Sequence, residues 1–223
     1  EGANVVLNAR REAHLDRLLS EIRAYGGHAV AHAGDVRDET TAQALVRLAE
    51  SEYGGLDAAF NNAGTLGDLG PVPEISRGTW DDVIETSLTA GFLAAKHQIP
   101  ALRTRGGGSL VFTSSFVGHG VGLPGMGAYA AAKAGLIGLV QVLAAEHGPE
   151  GIRANALLPG GTRTEMLGDD PDFHAFVTSL HALKRIAEPE EIARAALFLL
   201  SDEGSFATGS AMLVDGGNSI AKV

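Results

Sequence analysis

Short apolar segments alternating with helical patterns constrain this chain more than any other feature. Residues 3–8 read as a strand. Residues 12–22 read as a helix with Leu15, Leu18, Leu19 and Ile22 on one face, stopped by Gly26 and Gly27. HAVAHA is a short strand followed by the turn GDVRD, and TTAQALVRLAESEYGG is a second helix. LDAAFNNAG is a strand running into a small-residue turn, and residues 76–104 are largely helical. GGGSLVFTSS is a strand, residues 127–147 form a long Ala-rich helix, and IRANALLPGG is a strand and turn. Residues 163–185 read as irregular or short-helical. PEEIARAALFLLS is a helix with Pro189 in its first turn, and AMLVDGG is a last strand. This order predicts an α/β fold with a parallel sheet covered by helices on both faces. No linker, repeat or low-complexity stretch divides the chain, so residues 1–223 form one domain.

Composition narrows the function. The 223 residues carry 17 basic and 27 acidic side chains, a net charge of −10. That balance argues against a nucleic-acid partner, which calls for a basic stripe. The chain has no cysteine, which excludes disulfides, cysteine-ligated zinc and thiol catalysis and fits a cytoplasmic protein. No apolar run reads as long enough to cross a membrane. His28 and His32 are four apart on a strand, where that spacing separates side chains, and no metal site is expected.

Ligands of parallel α/β sheets sit outside the carboxyl ends of the strands. The residues just beyond those ends are Arg10, Asp35, Asn61 to Gly64, Ser114 with Ser115, and Pro159 to Thr164. Downstream, GAYAAAKAG places Tyr129 and Lys133 one helical turn apart on one face. An ammonium beside a phenol favours the phenolate and lowers its pKa, so the pair suits general acid/base work. A hydroxyl from Ser115 or Ser114 could polarise a substrate oxygen beside Tyr129. Each element alone is commonplace. A strand-end serine, a Gly-rich loop and Tyr-x-x-x-Lys in succession favour catalysis.

In order, LDAAFNNAG, LVFTSS, YAAAK, NALLPGGTRTEM and FATGSAMLVDGG resemble the short-chain dehydrogenase/reductase family over residues 2–220. The resemblance implies a Rossmann-type doubly wound sheet in three α/β/α layers, a nicotinamide cofactor, and hydride transfer between an alcohol and a carbonyl. It implies Tyr129 as acid/base, Lys133 as its pKa-lowering and ribose-binding partner, and Ser115 as the carbonyl-polarising serine, with Ser114 the fallback. Asp35 and Val36 match an adenine-contacting pair, and Asn61, Ala63 and Gly64 match the turn beside the cofactor. Pro159, Gly160, Thr162 and Thr164 match the nicotinamide and pyrophosphate loop. The family's catalytic Asn falls on Ser87, which serves either in the proton relay or as a polar core residue.

Cofactor choice falls at the end of the first strand. An acidic residue there binds the adenosine ribose, whereas arginine accommodates a 2′-phosphate. Ala9 is followed by Arg10 and Arg11, which predicts NADP(H), with NAD(H) as the alternative. The family's first strand and its Gly-rich phosphate turn are expected to be absent from this chain, leaving an incomplete sheet and weak cofactor binding. Gly120, Gly122 and Gly125 satisfy G-x-G-x-x-G, but the motif starts beyond a strand end, contains Pro124 and lacks the following acidic residue. Met166, Leu167, Phe173, Phe176, Leu180 and His181 fall where the family carries a mobile substrate lid, with His119 and His181 facing the pocket. The partners expected are a small carbonyl or alcohol substrate and further copies of the chain, as a dimer or tetramer. The alternatives are a non-catalytic cofactor-binding regulator and a pseudoenzyme fragment that serves only in assembly.

Overall fold

The computed structural model describes residues 2–221. Its elements follow the alternation closely. Strand β1 (Val5–Ala9) leads to helix α1 (Glu12–Ala24), and β2 (Ala29–Ala33) to α2 (Glu39–Tyr53). Strand β3 (Ala58–Asn61) is followed by α3 (Arg77–Ile84), a π-helical turn over Glu85–Thr89, and α4 (Ala90–Thr104). Strand β4 (Gly108–Thr113), α5 (Gly127–His147) and β5 (Ile152–Pro159) come next. Helices α6 (Pro171–Leu180) and α7 (Pro189–Leu200) and strand β6 (Ala211–Val214) close the order.

Local chemistry sets the helix ends. Ser76 caps α3 by accepting from the Thr79 N–H at 2.9 Å. Asp170 caps α6, whose first residue is Pro171. Glu188 and Glu191 form a reciprocal capping box around Pro189 at the start of α7. Segment 163–185 is short-helical, with one ten-residue helix between irregular stretches. Its apolar spacing covers less than three turns, too short a window for periodicity to show.

All strand pairs are parallel, but the six strands form two sheets. One pairs β1 with β2, and the other runs β3-β4-β5-β6. β1 and β3 exchange no ladder hydrogen bonds. The sheets are joined through helices instead: α2 packs on β1 and on α4, and α4 packs on β3. The parallel sheet is thus divided in two. The core lies on the four-stranded side. Leu110, Val111, Phe112, Ala154, Ala156, Leu157 and Leu158 of β4 and β5 are fully buried between α4 and α5 on one face and α7 on the other. In β3, Phe60 keeps 40% of its surface exposed.

One expectation about membranes is corrected. Helix α5 extends apolar sequence over Gly127–Glu150, long and apolar enough by composition to cross a bilayer. In the fold its buried side, including Leu136, Ile137, Val140 and Leu143, packs on β5 within the main core. Alanine and glycine dilute its hydropathy to the eye, while charged residues along it are few.

Candidate active site

The carboxyl ends of β3, β4 and β5 converge with the N-terminal half of α5. The register Asn61↔Phe112 and Thr113↔Leu157 brings those ends level. Tyr129 stands on the first turn of α5 and Lys133 on the second, facing them. Lys133 is 3% exposed. Its Nζ donates to the Thr113 carbonyl at 2.6 Å and lies 5.6 Å from the centre of the Tyr129 ring. Gly64 is the close neighbour on the other side. A Cβ there would sit 3.0 Å from Lys133 Nζ and 3.4 Å from Ser87 Oγ, so a side chain at this turn would press on the buried ammonium.

The two serines separate in role. Ser114 Oγ donates to the main-chain carbonyl of Lys133 at 2.7 Å and is committed to holding α5. Ser115 Oγ accepts from the Val117 N–H at 3.1 Å, and its hydroxyl lies near enough to the Tyr129 phenol to favour the phenolate. The geometry therefore gathers Ser115, Tyr129 and Lys133 and leaves Ser114 behind them.

The electrostatics differ from the sequence expectation. Burial pushes the Tyr129 phenol above its usual value, and the nearby Ser115 hydroxyl only partly opposes it. Lys133 does not pull it down. Its ammonium is turned to the Thr113 carbonyl and is itself starved of water, which lowers its pKa to about 8.

Ser87 lies in the π-helical turn between α3 and α4, 2% exposed, and its Oγ accepts from the Thr65 N–H at 3.3 Å. It therefore ties the helix to the turn after β3. Asn61 does not open toward the cleft. Its side chain exchanges two 2.9 Å hydrogen bonds with Gln98 of α4. The next residue, Asn62, accepts from Thr113 Oγ1 at 2.7 Å, a strand-end link that the NNAG motif contains but its spacing does not assign. Ala63 is exposed beside it.

The remaining predicted residues ring the same edge. Asp35 and half-buried Val36 follow β2, and Arg37 holds the Asp35 carboxylate below its ordinary range through a 2.6 Å ion pair. Arg10 follows β1, exposed and close enough to add to that lowering. Arg11 pairs with Glu165 at 3.4 Å. Pro159 ends β5, Gly160 N–H donates to the Val214 carbonyl at 3.1 Å, and Thr162 Oγ1 donates to the Gly160 carbonyl at 3.1 Å. Thr164 is exposed at the start of the segment leading to α6. Met166, Phe173 and Phe176 are exposed there at 49%, 42% and 55%. His181 is the exception: it turns inward, with both ring nitrogens hydrogen-bonded to main chain. The Gly120–Gly125 stretch is a loop between β4 and α5, with Gly125 accepting from the Gly70 N–H.

These features have close counterparts. A family model described as enoyl-(acyl carrier protein) reductase matches residues 1–219. The chain is 37% identical over 216 residues to a cyclohexanol dehydrogenase of Acinetobacter, covering 97% of this chain and 85% of that one. It is 41% identical over 201 residues to a 2,5-dichloro-2,5-cyclohexadiene-1,4-diol dehydrogenase of Sphingobium indicum, covering 88% and 80%. The structure superposes with a TM-score of 0.91 on a gluconate 5-dehydrogenase from Burkholderia cenocepacia in complex with NADP and tartrate, at 28% identity and covering 99% and 87%. The chain belongs to the short-chain dehydrogenase/reductase family, whose members are NAD(P)-dependent oxidoreductases.

Proposed function

We propose that this protein is an NADP(H)-dependent dehydrogenase or carbonyl reductase, interconverting a small secondary alcohol and its ketone. The observation that carries the reading is the meeting of Ser115, Tyr129 and Lys133 at the end of β4. Tyr129 gives the proton to the carbonyl oxygen in reduction and takes it back in oxidation. Ser115 donates a hydrogen bond to that oxygen as charge grows on it. Lys133 supplies the nearby positive charge.

The site fits a nicotinamide nucleotide at its inner end. Gly64 leaves a side-chain-free surface beside the buried Lys133 ammonium, and the Pro159–Thr164 loop borders it. Lys133 would hold the ribose hydroxyls, Thr162 and Thr164 the carboxamide and pyrophosphate, and Asp35 and Val36 the adenine. Arg10 and Arg11 would take the 2′-phosphate, which a carboxylate at Ala9 would repel. When bound, the nicotinamide supplies or accepts the hydride. The open edge of β3 and the separate β1-β2 pair suit a further βα unit with a glycine-rich turn between them, which would add the amides that a pyrophosphate needs.

The relatives named for cyclohexanol and a chlorinated cyclohexadiene diol suggest a ring-bearing secondary alcohol, and the exposed apolar side chains of Met166, Phe173 and Phe176 offer it a cover. Exposed Phe92 and Val142 on α4 and α5, and Phe206 and Leu213 near the C-terminal strand, suit self-association. The test is Tyr129→Phe with cyclohexanol and NADP+. Turnover is expected to vanish while NADPH fluorescence titration stays within about twofold, a factor worth less than 0.5 kcal/mol. A variant that turns over normally would overturn the assignment.

A further inference from the structure

His181 follows α6 directly, and only 2% of it is exposed. Its Nδ1 lies 2.7 Å from the Val177 carbonyl, which can only accept. Its Nε2 lies 3.0 Å from the Gly161 N–H, which can only donate. One tautomer satisfies both partners, with the proton on Nδ1 and a lone pair on Nε2.

The surroundings are shaped around that ring. A Cβ on Gly160 would lie 2.8 Å from Nε2, one on Gly161 3.0 Å from Cε1, and one on Gly216 3.1 Å from Cδ2. Two strand-end loops, after β5 and after β6, thus dispense with side chains where the imidazole sits. The chain beyond the ring is stitched to the same loops. Leu183 N–H donates to the Gly216 carbonyl at 3.1 Å, and Ala187 N–H donates to the Gly161 carbonyl at 2.9 Å. Arg163 N–H completes the link by donating to the Ala187 carbonyl at 2.9 Å. Arg185, Glu191 and Asp215 are the charged groups lining the small cavity beside the ring.

We propose that His181 is a positioning residue that anchors helix α6 to the Gly160–Thr162 loop and so sets where that loop meets the cofactor. The ring touches the last turn of α6 and both strand-end loops. Gly160 and Gly161 carry no side chain of their own that could accept from the Gly161 N–H. Losing the acceptor frees the loop at the point where Pro159 to Thr164 border the cofactor surface. Losing the Nδ1 donor frees the C-terminal turn of α6. The effect on cofactor rests on the cofactor reading given above; the anchoring does not.

The experiment uses the whole chain, labelled with 15N. Long-range 1H–15N correlation on the wild type is expected to show the proton on Nδ1, and a proton on Nε2 would overturn the proposal outright. His181→Leu keeps an apolar side chain but no acceptor, and His181→Gln restores one near the Nε2 position. The Leu variant is expected to lose about tenfold in amide exchange protection at Gly161, the scale of one buried hydrogen bond. It should weaken NADPH binding by a similar factor, raising the cofactor KM more than it lowers kcat, and the Gln variant should recover most of both. Unchanged protection and unchanged KM in His181→Leu would refute the role. A wild type that binds neither nicotinamide cofactor would instead sink the cofactor reading, while the Gly161 exchange comparison would still decide the anchoring. Should the Leu variant not fold, the wild-type tautomer and the Gln variant carry the test.

Discussion

Lys133 Nζ spends a 2.6 Å hydrogen bond on the main-chain carbonyl of Thr113, the last residue of β4. The ammonium is thereby held at a strand end, beneath the Gly64 turn, rather than against the Tyr129 hydroxyl. Its burial is costly: a fall from 10.5 to about 8 corresponds to about 3 kcal/mol.

That cost makes stability depend on pH in a defined window. The native lysine releases its proton near 8, and the unfolded one near 10.5. Between those values the unfolded state holds more protons, so stability rises with pH. Below about 8 both states are protonated and the penalty is present in full. Urea melts between pH 7.5 and 10.5 are expected to show this rise above the background of the other groups, and Lys133→Met to remove it. Parallel curves for the two proteins would show that Lys133 is not responsible.

Arg11 meets Glu165 at 3.4 Å, both side chains largely exposed. The pair is worth little to folding, but on the proposed NADP(H) reading its carboxylate would compete with a 2′-phosphate for the same guanidinium. Glu165→Ala is expected to tighten NADPH by about two- to fivefold, the reach of one exposed ion pair, and to leave NADH unchanged. Arg10→Glu should do the reverse, weakening NADPH by at least about tenfold relative to NADH. Fluorescence titration with both nucleotides decides each case. Equal effects on both would remove the two arginines from cofactor choice.

Ser87 is the acceptor for the Thr65 N–H in a nearly buried setting. Ser87→Ala leaves that donor unmet, at a cost of about 1 to 2 kcal/mol. The melting temperature should drop by about 2–8 °C on that account. An unchanged melting temperature would mean that the bond contributes nothing to the fold.

Lys184 adopts φ +52°, the one non-glycine residue at positive φ among the described residues. The left-handed region penalises a Cβ by about 1 kcal/mol, which glycine avoids. Lys184→Gly is expected to stabilise the protein by up to about 1 kcal/mol, less whatever the 2.7 Å bond from Lys184 Nζ to the Ser179 carbonyl contributes. A melting temperature that falls would show the side chain outweighing the backbone strain.

Much of this was readable along the chain. Helix α5 spans the residues its pattern marks, 127–147, because an uninterrupted helical sequence runs between glycine-rich ends. Tyr129 and Lys133 share a face by helical spacing alone, and the Tyr-x-x-x-Lys, NNAG and PGG motifs are local strings that survive whatever packs around them. The assignment of Ser115 over Ser114 was not local. Two adjacent strand-end hydroxyls point to opposite sides, and only the packing of α5 shows that Ser114 meets the Lys133 carbonyl while Ser115 meets Tyr129. The direction of the Tyr129 shift was likewise out of reach, since desolvation depends on how many atoms from distant segments crowd the ring. The division into two sheets is a pairing between strands far apart in sequence. His181, read along the chain as one more lid residue, owes its inward turn to three glycines on two other loops. Periodicity and motifs determined which elements form and which residues can react. Burial and partners, which are sums over the whole fold, decided what each of those residues is free to do.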